Sequence, residues 1–161
     1  MIKLSATLVF IGAAVIAVIA AHGVAPDSYG FVVPQARRIA DVPLRTVKGG
    51  KIFLARNAER TTLVLGYVAC SDACPATLRS LHANPHTKVA FLDIDPWDDS
   101  PQRVAAFLRA YPDVEGIVGD LASLRATEIS LGVRPIQRQA DVENHDGRTF
   151  VVESGGVVLR R

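Results

Sequence analysis

The sequence has little sulfur. Two cysteines are too few for a disulfide-stapled mini-domain. The single methionine is the initiator, so Met-rich copper tracts are absent. Charge of one sign is lacking too: 18 Lys and Arg stand against 16 Asp and Glu, a net charge of +2, with no basic run. That balance argues against a nucleic-acid binder. No internal repeat and no low-complexity tract occurs. A chain of 161 residues is about one domain's worth and excludes a large multidomain machine. What is there is a globular composition, 49% hydrophobic and 21% charged, rather than a disordered one.

The hydropathy is concentrated at the front. Lys3 sits beside the amino terminus, and residues 4–21 follow without a charge. A bilayer core needs about 20 apolar residues in a helix, with a usable range from about 17. A secretory signal has a shorter apolar core and a small-residue cleavage site, for which Val18-Ile19-Ala20 would serve. Residues 1–21 therefore read as a transmembrane anchor or a signal segment, and residues 22–39 as a tether. Lys3 favours the amino terminus inside and the domain outside, although Arg37 and Arg38 weaken that vote. The expected location is the membrane, single-pass, with the domain on the periplasmic or extracytoplasmic side, or secreted if the segment is cleaved. In that oxidising compartment two cysteines can cycle between thiol and disulfide.

Residues 40–161 read as the domain. Residues 42–47 and 51–54 flank Lys48-Gly49-Gly50 as a hairpin, with Pro43 expected to confine the first strand to a sheet edge. Residues 62–68 and 88–94 are nearly continuous apolar runs, the mark of strands covered on both faces. Cys70 to Cys74 follow the first run and open a helix to about His82, with Pro75 in its first turn. Asp99 or Ser100 caps the next helix, whose Val104, Phe107, Leu108 and Tyr111 recur at helical spacing. A short strand at 116–119, a helix from Asp120 to about Leu131 ended by Gly132, and a hairpin of 149–153 with 157–160 complete the chain. Alternating strands and helices with an antiparallel finish imply an α/β fold, a central mixed sheet flanked by helices. A cysteine pair at the end of a central strand, opening a helix, suggests the thioredoxin-like architecture.

The pair is spaced Cys70-Ser71-Asp72-Ala73-Cys74-Pro75. Residues four apart on a helix have Cβ atoms about 5–6 Å apart. A disulfide wants about 3.5–4.5 Å, so bridging needs an adjusted turn. The wider spacing suits two thiolates sharing one metal. The positive end of the helix macrodipole is expected to make both thiols more acidic than free cysteine. The bland alternative is a structural disulfide or two inert core thiols, although structural disulfides usually close longer loops. Of the four histidines, His22 belongs to the tether, and His82 and His86 flank a turn away from the cysteines. His145, in a polar loop before the strand at 149–153, can fold back to the cysteine face. Two thiolates and an imidazole form a soft set that favours Cu(I), with Cu(II) and Zn(II) also possible. Trp97 reads as a half-buried aromatic, with an exposed docking residue as the alternative, and Tyr67 as core lining near the pocket.

Together these residues resemble the Sco/SenC family of copper-binding, thioredoxin-like assembly proteins. The motifs that carry the resemblance are Gly66-Tyr67, the CxxxCP of Cys70 to Pro75, Asp95-Pro96-Trp97-Asp98-Asp99-Ser100-Pro101, the 116–119 stretch and the late His145. The resemblance covers about residues 42–161. It implies a membrane-tethered chaperone with Cys70, Cys74 and His145 as copper ligands and Cys70 and Cys74 as a redox pair. Asp95, Asp99 and Tyr67 would support them. The implied partners are the copper-accepting subunit of cytochrome c oxidase or another copper protein, a thiol reductant, and the membrane through residues 4–21. A thiol–disulfide oxidoreductase without a metal is the alternative, although such enzymes normally use CxxC. A peroxiredoxin-like peroxidase would need an Arg and Thr near Cys70, which the sequence does not offer.

Overall fold

The structure, a computed structural model, describes residues 37–82, 88–145 and 147–160, without the side chains of His82 and Arg160. The chain divides into two units, 1–35 and 36–161, and the account below concerns the second. The anchor or signal segment, His22 and His86 lie outside the described residues. Among the described residues no helix is long and apolar enough to cross a membrane.

Eight strands form one mixed sheet. They are β1 (Arg37–Arg38), β2 (Leu44–Thr46), β3 (Lys51–Ile52), β4 (Thr61–Gly66), β5 (Lys88–Asp93), β6 (Val114–Val118), β7 (Thr149–Val152) and β8 (Val157–Arg160). Their order is β1-β8-β7-β4-β5-β6-β2-β3. The centre, β4-β5-β6, is parallel, and β7 and β2 close onto it antiparallel. Among the described residues three α-helices accompany the sheet: α1 (Ala73–His82), α2 (Pro101–Phe107) and α3 (Leu121–Leu131). Short 3-10 turns span Leu54–Arg56, Leu108–Ala110 and Gln139–Asn144.

The central strands show why the sheet is covered twice. Successive side chains point to opposite faces. Leu63, Leu65, Ala90, Leu92 and Ile117 go to one core with Leu124 and Leu131 of α3. Val64, Val89, Phe91 and Val114 go to another with Leu78 of α1 and Val104 of α2. Both cysteines join the second core.

Local chemistry sets the helix ends. Ser100 Oγ accepts from Arg103 N at 3.2 Å, so Ser100 and not Asp99 caps α2. Asp120 Oδ1 accepts from Ser123 N at 2.8 Å and starts α3. Gly132, left-handed at φ 74°, ends it.

Three expectations change. Pro43 does not place β2 at an edge, because β2 pairs with both β3 and β6. The proline stands before the first paired residue, so its missing N–H costs no ladder bond. Within the stretch read as tether, Arg37 and Arg38 form an edge strand against β8, and Ile39 is buried. The apolar run 62–68 leaves the sheet after Gly66, because the Val68 amide is taken by a side chain, that of Asp99.

Candidate metal and thiol site

The site begins where β4 stops. Tyr67 to Ala69 turn away from the sheet, and Cys70 N donates to Tyr67 O at 3.2 Å. Cys74 sits in the first turn of α1, and both cysteines are free thiols buried against the second core. Cys74 N donates to Cys70 Sγ at 3.2 Å. A helix N-terminal amide therefore points at the first sulfur. At Cys74, burial first, then the hydrogen bond and charge of Cys70, push the thiol up to about 12. The expectation that both thiols are acidic is thus reversed for Cys74, where desolvation outweighs the dipole.

The sheet makes room for the second sulfur by omitting a side chain. A Cβ on Gly66 would lie 2.7 Å from Cys74 Sγ and 2.6 Å from Phe91 Cε2. Glycine at this strand end is therefore a packing requirement of the site, with no special backbone angle involved.

Tyr67 connects the cysteines to the histidine. Its ring packs against both cores. It also meets the His145 ring edge-on, with centroids 5.5 Å apart and planes at 86°. The phenol is pushed up by burial first, then by Cys70, Glu143, Cys74 and Asp95.

His145 ends the 3-10 turn Gln139–Asn144. Val142, 2% exposed, anchors that turn in the first core, and the Gln139 side-chain amide donates to Asp98. His145 Nδ1 lies 2.8 Å from Val142 O. A carbonyl only accepts, so Nδ1 carries the proton and the neutral ring keeps its lone pair on Nε2. That Nε2 is buried and has no hydrogen-bond partner. A fixed tautomer with a bare, buried nitrogen is the state of an imidazole ready to take a metal. Among the described residues, however, no three His, Cys, Asp or Glu side chains stand together closely enough to hold one.

The acidic loop shapes the turn from below. Asp95 Oδ1 accepts from Trp97 N at 3.3 Å and from Asp98 N at 3.2 Å. Burial is the largest influence on Asp95 and pushes its carboxyl up, against those two amides. Asp99 Oδ2 accepts from Val68 N at 2.7 Å, two residues before Cys70. Trp97 is 40% exposed, not half-buried as its apolar character suggested.

Sequence reasoning missed Asp93, 1% exposed at the end of β5. Burial first, then the charge of Asp99 and a side-chain hydrogen bond to it, push Asp93 up to about 9. Its signal was a carboxylate on the same strand face as Phe91, two residues on, where an apolar residue belongs. A cleft of about 890 Å³ opens beyond this pair, lined by Arg45, Lys51, Asp93 and Asp99 among others. Neither cysteine nor His145 lines it.

Comparison with known proteins follows the same lines. The family model for SCO1/SenC matches residues 55–161. No curated protein matches the chain. The fold is similar to that of Arabidopsis thaliana ScoI with copper bound, at 20% identity and TM-score 0.64 over 76% of this chain and 85% of that one. It is also similar to Bradyrhizobium japonicum ScoI with copper bound, at 21% identity and TM-score 0.61 over 76% and 87%. A third similar structure is BsSco, a member of the Sco family of cytochrome c oxidase assembly proteins with an identified disulfide switch. That match has 14% identity and TM-score 0.60 over 79% of this chain and 84% of that one. The mixed sheet with its helices is the thioredoxin-like fold of these structures.

Proposed function

Because the chain belongs to the SCO1/SenC family, we propose that it carries copper as cargo on Cys70, Cys74 and His145 for maturation of the copper centre of cytochrome c oxidase. The observation that supports this most is the buried, partnerless Nε2 of His145, whose ring meets edge-on the same Tyr67 that packs against the core holding both free thiols. The donor set fits the cargo: two thiolates and one imidazole are soft enough for Cu(I). Loading draws Nε2 to the sulfurs and expels the protons of the thiols. That coupling also gives Cys74 a role its high pKa would otherwise deny, since the metal displaces a proton that neutral water leaves in place.

Three ligands leave a position open. A thiolate of the recipient, the copper-accepting oxidase subunit or another copper protein, enters there and takes the ion by ligand exchange. Exchange with a partner disulfide, which leaves as two thiols, would join Cys70 to Cys74 and remove both sulfur ligands, and a thiol reductant would restore them. Residues 1–21 tether the domain to the membrane in this reading, and residues 40–161 work on its extracytoplasmic side.

A second reading is a thiol–disulfide reductase, and the observation in its favour is that no three ligating side chains are gathered among the described residues. Cys70 thiolate would attack a partner disulfide, forming a mixed disulfide and expelling one partner thiolate. Cys74 would then attack the Cys70 sulfur and expel the second. The raised Cys74 pKa makes that second step slow, so the copper reading is preferred.

Cu(I) titration of the reduced full chain against a competing chelator tests it. One tightly bound copper per chain is expected, lost in the Cys70→Ala/Cys74→Ala double variant. His145→Ala should weaken binding by about ten-fold or more, the scale of losing a group that orients a metal. Equal copper affinity of the wild type and the double-cysteine variant would sink the proposal.

A further inference from the structure

We infer that Arg125 and Glu128 of α3 are positioning residues for His145: together they grip the peptide groups of Ile136 and Gln137, where the loop that carries the imidazole begins. The inference deepens the copper reading and rests on it for its meaning, while its geometry stands on its own.

Gly132 ends α3 and turns the chain, and residues 133–138 then pass beside the helix as neither helix nor strand. Without a ladder their backbone groups need other partners. Two side chains on one face of α3, three residues apart, supply them. Glu128 Oε2 accepts from Ile136 N at 3.0 Å. Arg125 Nε donates to Ile136 O at 2.9 Å, and its Nη2 donates to Gln137 O at 2.7 Å. Both polar groups of Ile136 are therefore held from one helix, and the planar guanidinium spans two successive carbonyls, which a lysine cannot do.

The grip is passed along the loop. Asp141 Oδ2 accepts from Gln137 N at 3.1 Å and from Arg138 N at 3.2 Å, so the turn Gln139–Asn144 is built directly on the clamped peptides. That turn delivers Val142 O, which receives His145 N at 3.2 Å and lies 2.8 Å from Nδ1. Ile136 and Val142 bury their side chains in the first core and set the depth of the loop. Apolar burial is non-directional, so the direction in which the turn aims the ring comes from the hydrogen bonds. Glu128 is 1% exposed. A carboxyl buried in a helix is costly, and the bond it makes there is to this loop.

The test uses Arg125→Met, which keeps the stem and removes both donors, and Glu128→Met, which removes the acceptor at similar length. Glu128→Gln keeps an oxygen for Ile136 N. In the reduced, metal-free full chain, diethyl pyrocarbonate modifies His145 as fast as local opening exposes its buried Nε2. Peptide mapping reads that rate beside iodoacetamide alkylation of Cys70. R125M should be modified at His145 about ten-fold faster than wild type and E128M about five-fold faster, the scale of losing two and one hydrogen bonds. E128Q should stay within about two-fold, and Cys70 alkylation should stay within about two-fold in every variant. Unchanged His145 modification in R125M overturns the inference. So does an equal acceleration at His145 and Cys70, which would assign the effect to a general loosening of the domain. E128Q as fast as E128M would strike Glu128 from the clamp, since the accepted hydrogen would then not matter. If R125M does not fold, Arg125→Lys, which keeps the charge and loses the fork, serves the same arm, and the Arg125 arm decides if E128M does not fold. Cu(I) affinity is measured in parallel. R125M should weaken binding several-fold and add nothing in the His145→Ala background, whereas an equal loss in both backgrounds marks a merely structural residue and overturns the inference. A wild type that binds no copper ends the copper reading, and the modification rates still decide the role of Arg125 and Glu128.

Discussion

Gly66→Ala is a single methyl group placed against the site. In the wild type the Cβ position of Gly66 lies 2.6 Å from Phe91 Cε2 and 2.7 Å from Cys74 Sγ. Both distances are well inside van der Waals contact, and neither neighbour has room to retreat. Phe91 is fully buried between the helices and the sheet, and Cys74 is 4% exposed in the first turn of α1. Overpacking of this kind costs about 1–3 kcal/mol. Replacing glycine in a strand returns roughly 0.5–1 kcal/mol of backbone entropy. The net is a loss of about 1–2 kcal/mol. With a urea dependence of about 1–3 kcal/mol per molar, the unfolding midpoint falls by roughly half to one molar. Because part of the strain falls on Cys74 Sγ, copper affinity falls with it, which a generic core defect far from the sulfur would not cause. Urea unfolding of the reduced chain followed by circular dichroism, with Cu(I) competition alongside, reads both effects. A midpoint at or above that of wild type, together with unchanged copper affinity, would refute the claim that glycine is there to admit the sulfur.

Two further outcomes follow from the electrostatics. Alkylation of the reduced, metal-free chain near neutral pH should modify Cys70 first and leave Cys74 largely unmodified, because Cys70 Sγ receives an amide and Cys74 is pushed up to about 12; peptide mapping after brief treatment reads the order, and Cys74 reacting first would reverse the assignment. Glu128 is buried on α3, and burial pushes its carboxyl up to about 7 from 4.5 while Ile136 N and Arg125 pull it down. A carboxyl whose folded pKa is raised favours the fold below its unfolded pKa and gives that stability up as pH rises through the folded value. Glu128→Gln should therefore flatten the fall in stability between about pH 4.5 and 7, read as the difference in urea midpoints between the two proteins; parallel midpoint curves for wild type and variant over that range would contradict it.

How much of this was legible depends on the range of the physics involved. Caps are local, so Asp120 and Gly132 could be read directly as the ends of α3. The apolar runs of β4 and β5 announced strands covered on both faces, and alternation sorted them onto two cores. The choice between Asp99 and Ser100 as cap was not local, because Asp99 is engaged by Val68 from another element. The turn Gln139–Asn144 is polar and too short for a periodic signal, yet it sets the ring of His145 through the Val142 carbonyl. The acidity of Cys74 failed for the same reason. A helix dipole can be inferred from Pro75 and the residues around it, whereas the desolvation that defeats it comes from Leu78, Phe91 and other residues far apart in sequence. Asp93 was hidden inside an apolar run, where only its register with Gly66 gives it a place.

The buried atoms left unsatisfied point to the same place as the motifs. Among the described residues two buried side-chain polar atoms lack a partner, Asp93 Oδ1 and His145 Nε2. Each such atom costs about 1–3 kcal/mol, a sizeable share of the stability of a small domain. Random placement would scatter them, but both border the turn that carries Cys70. His145 reaches it through the ring of Tyr67, and Asp93 pairs in register with Gly66, where that turn begins. Among the described residues Nε2 has no partner, so a metal bound there would relieve its penalty, and the relief would add to the affinity of capture.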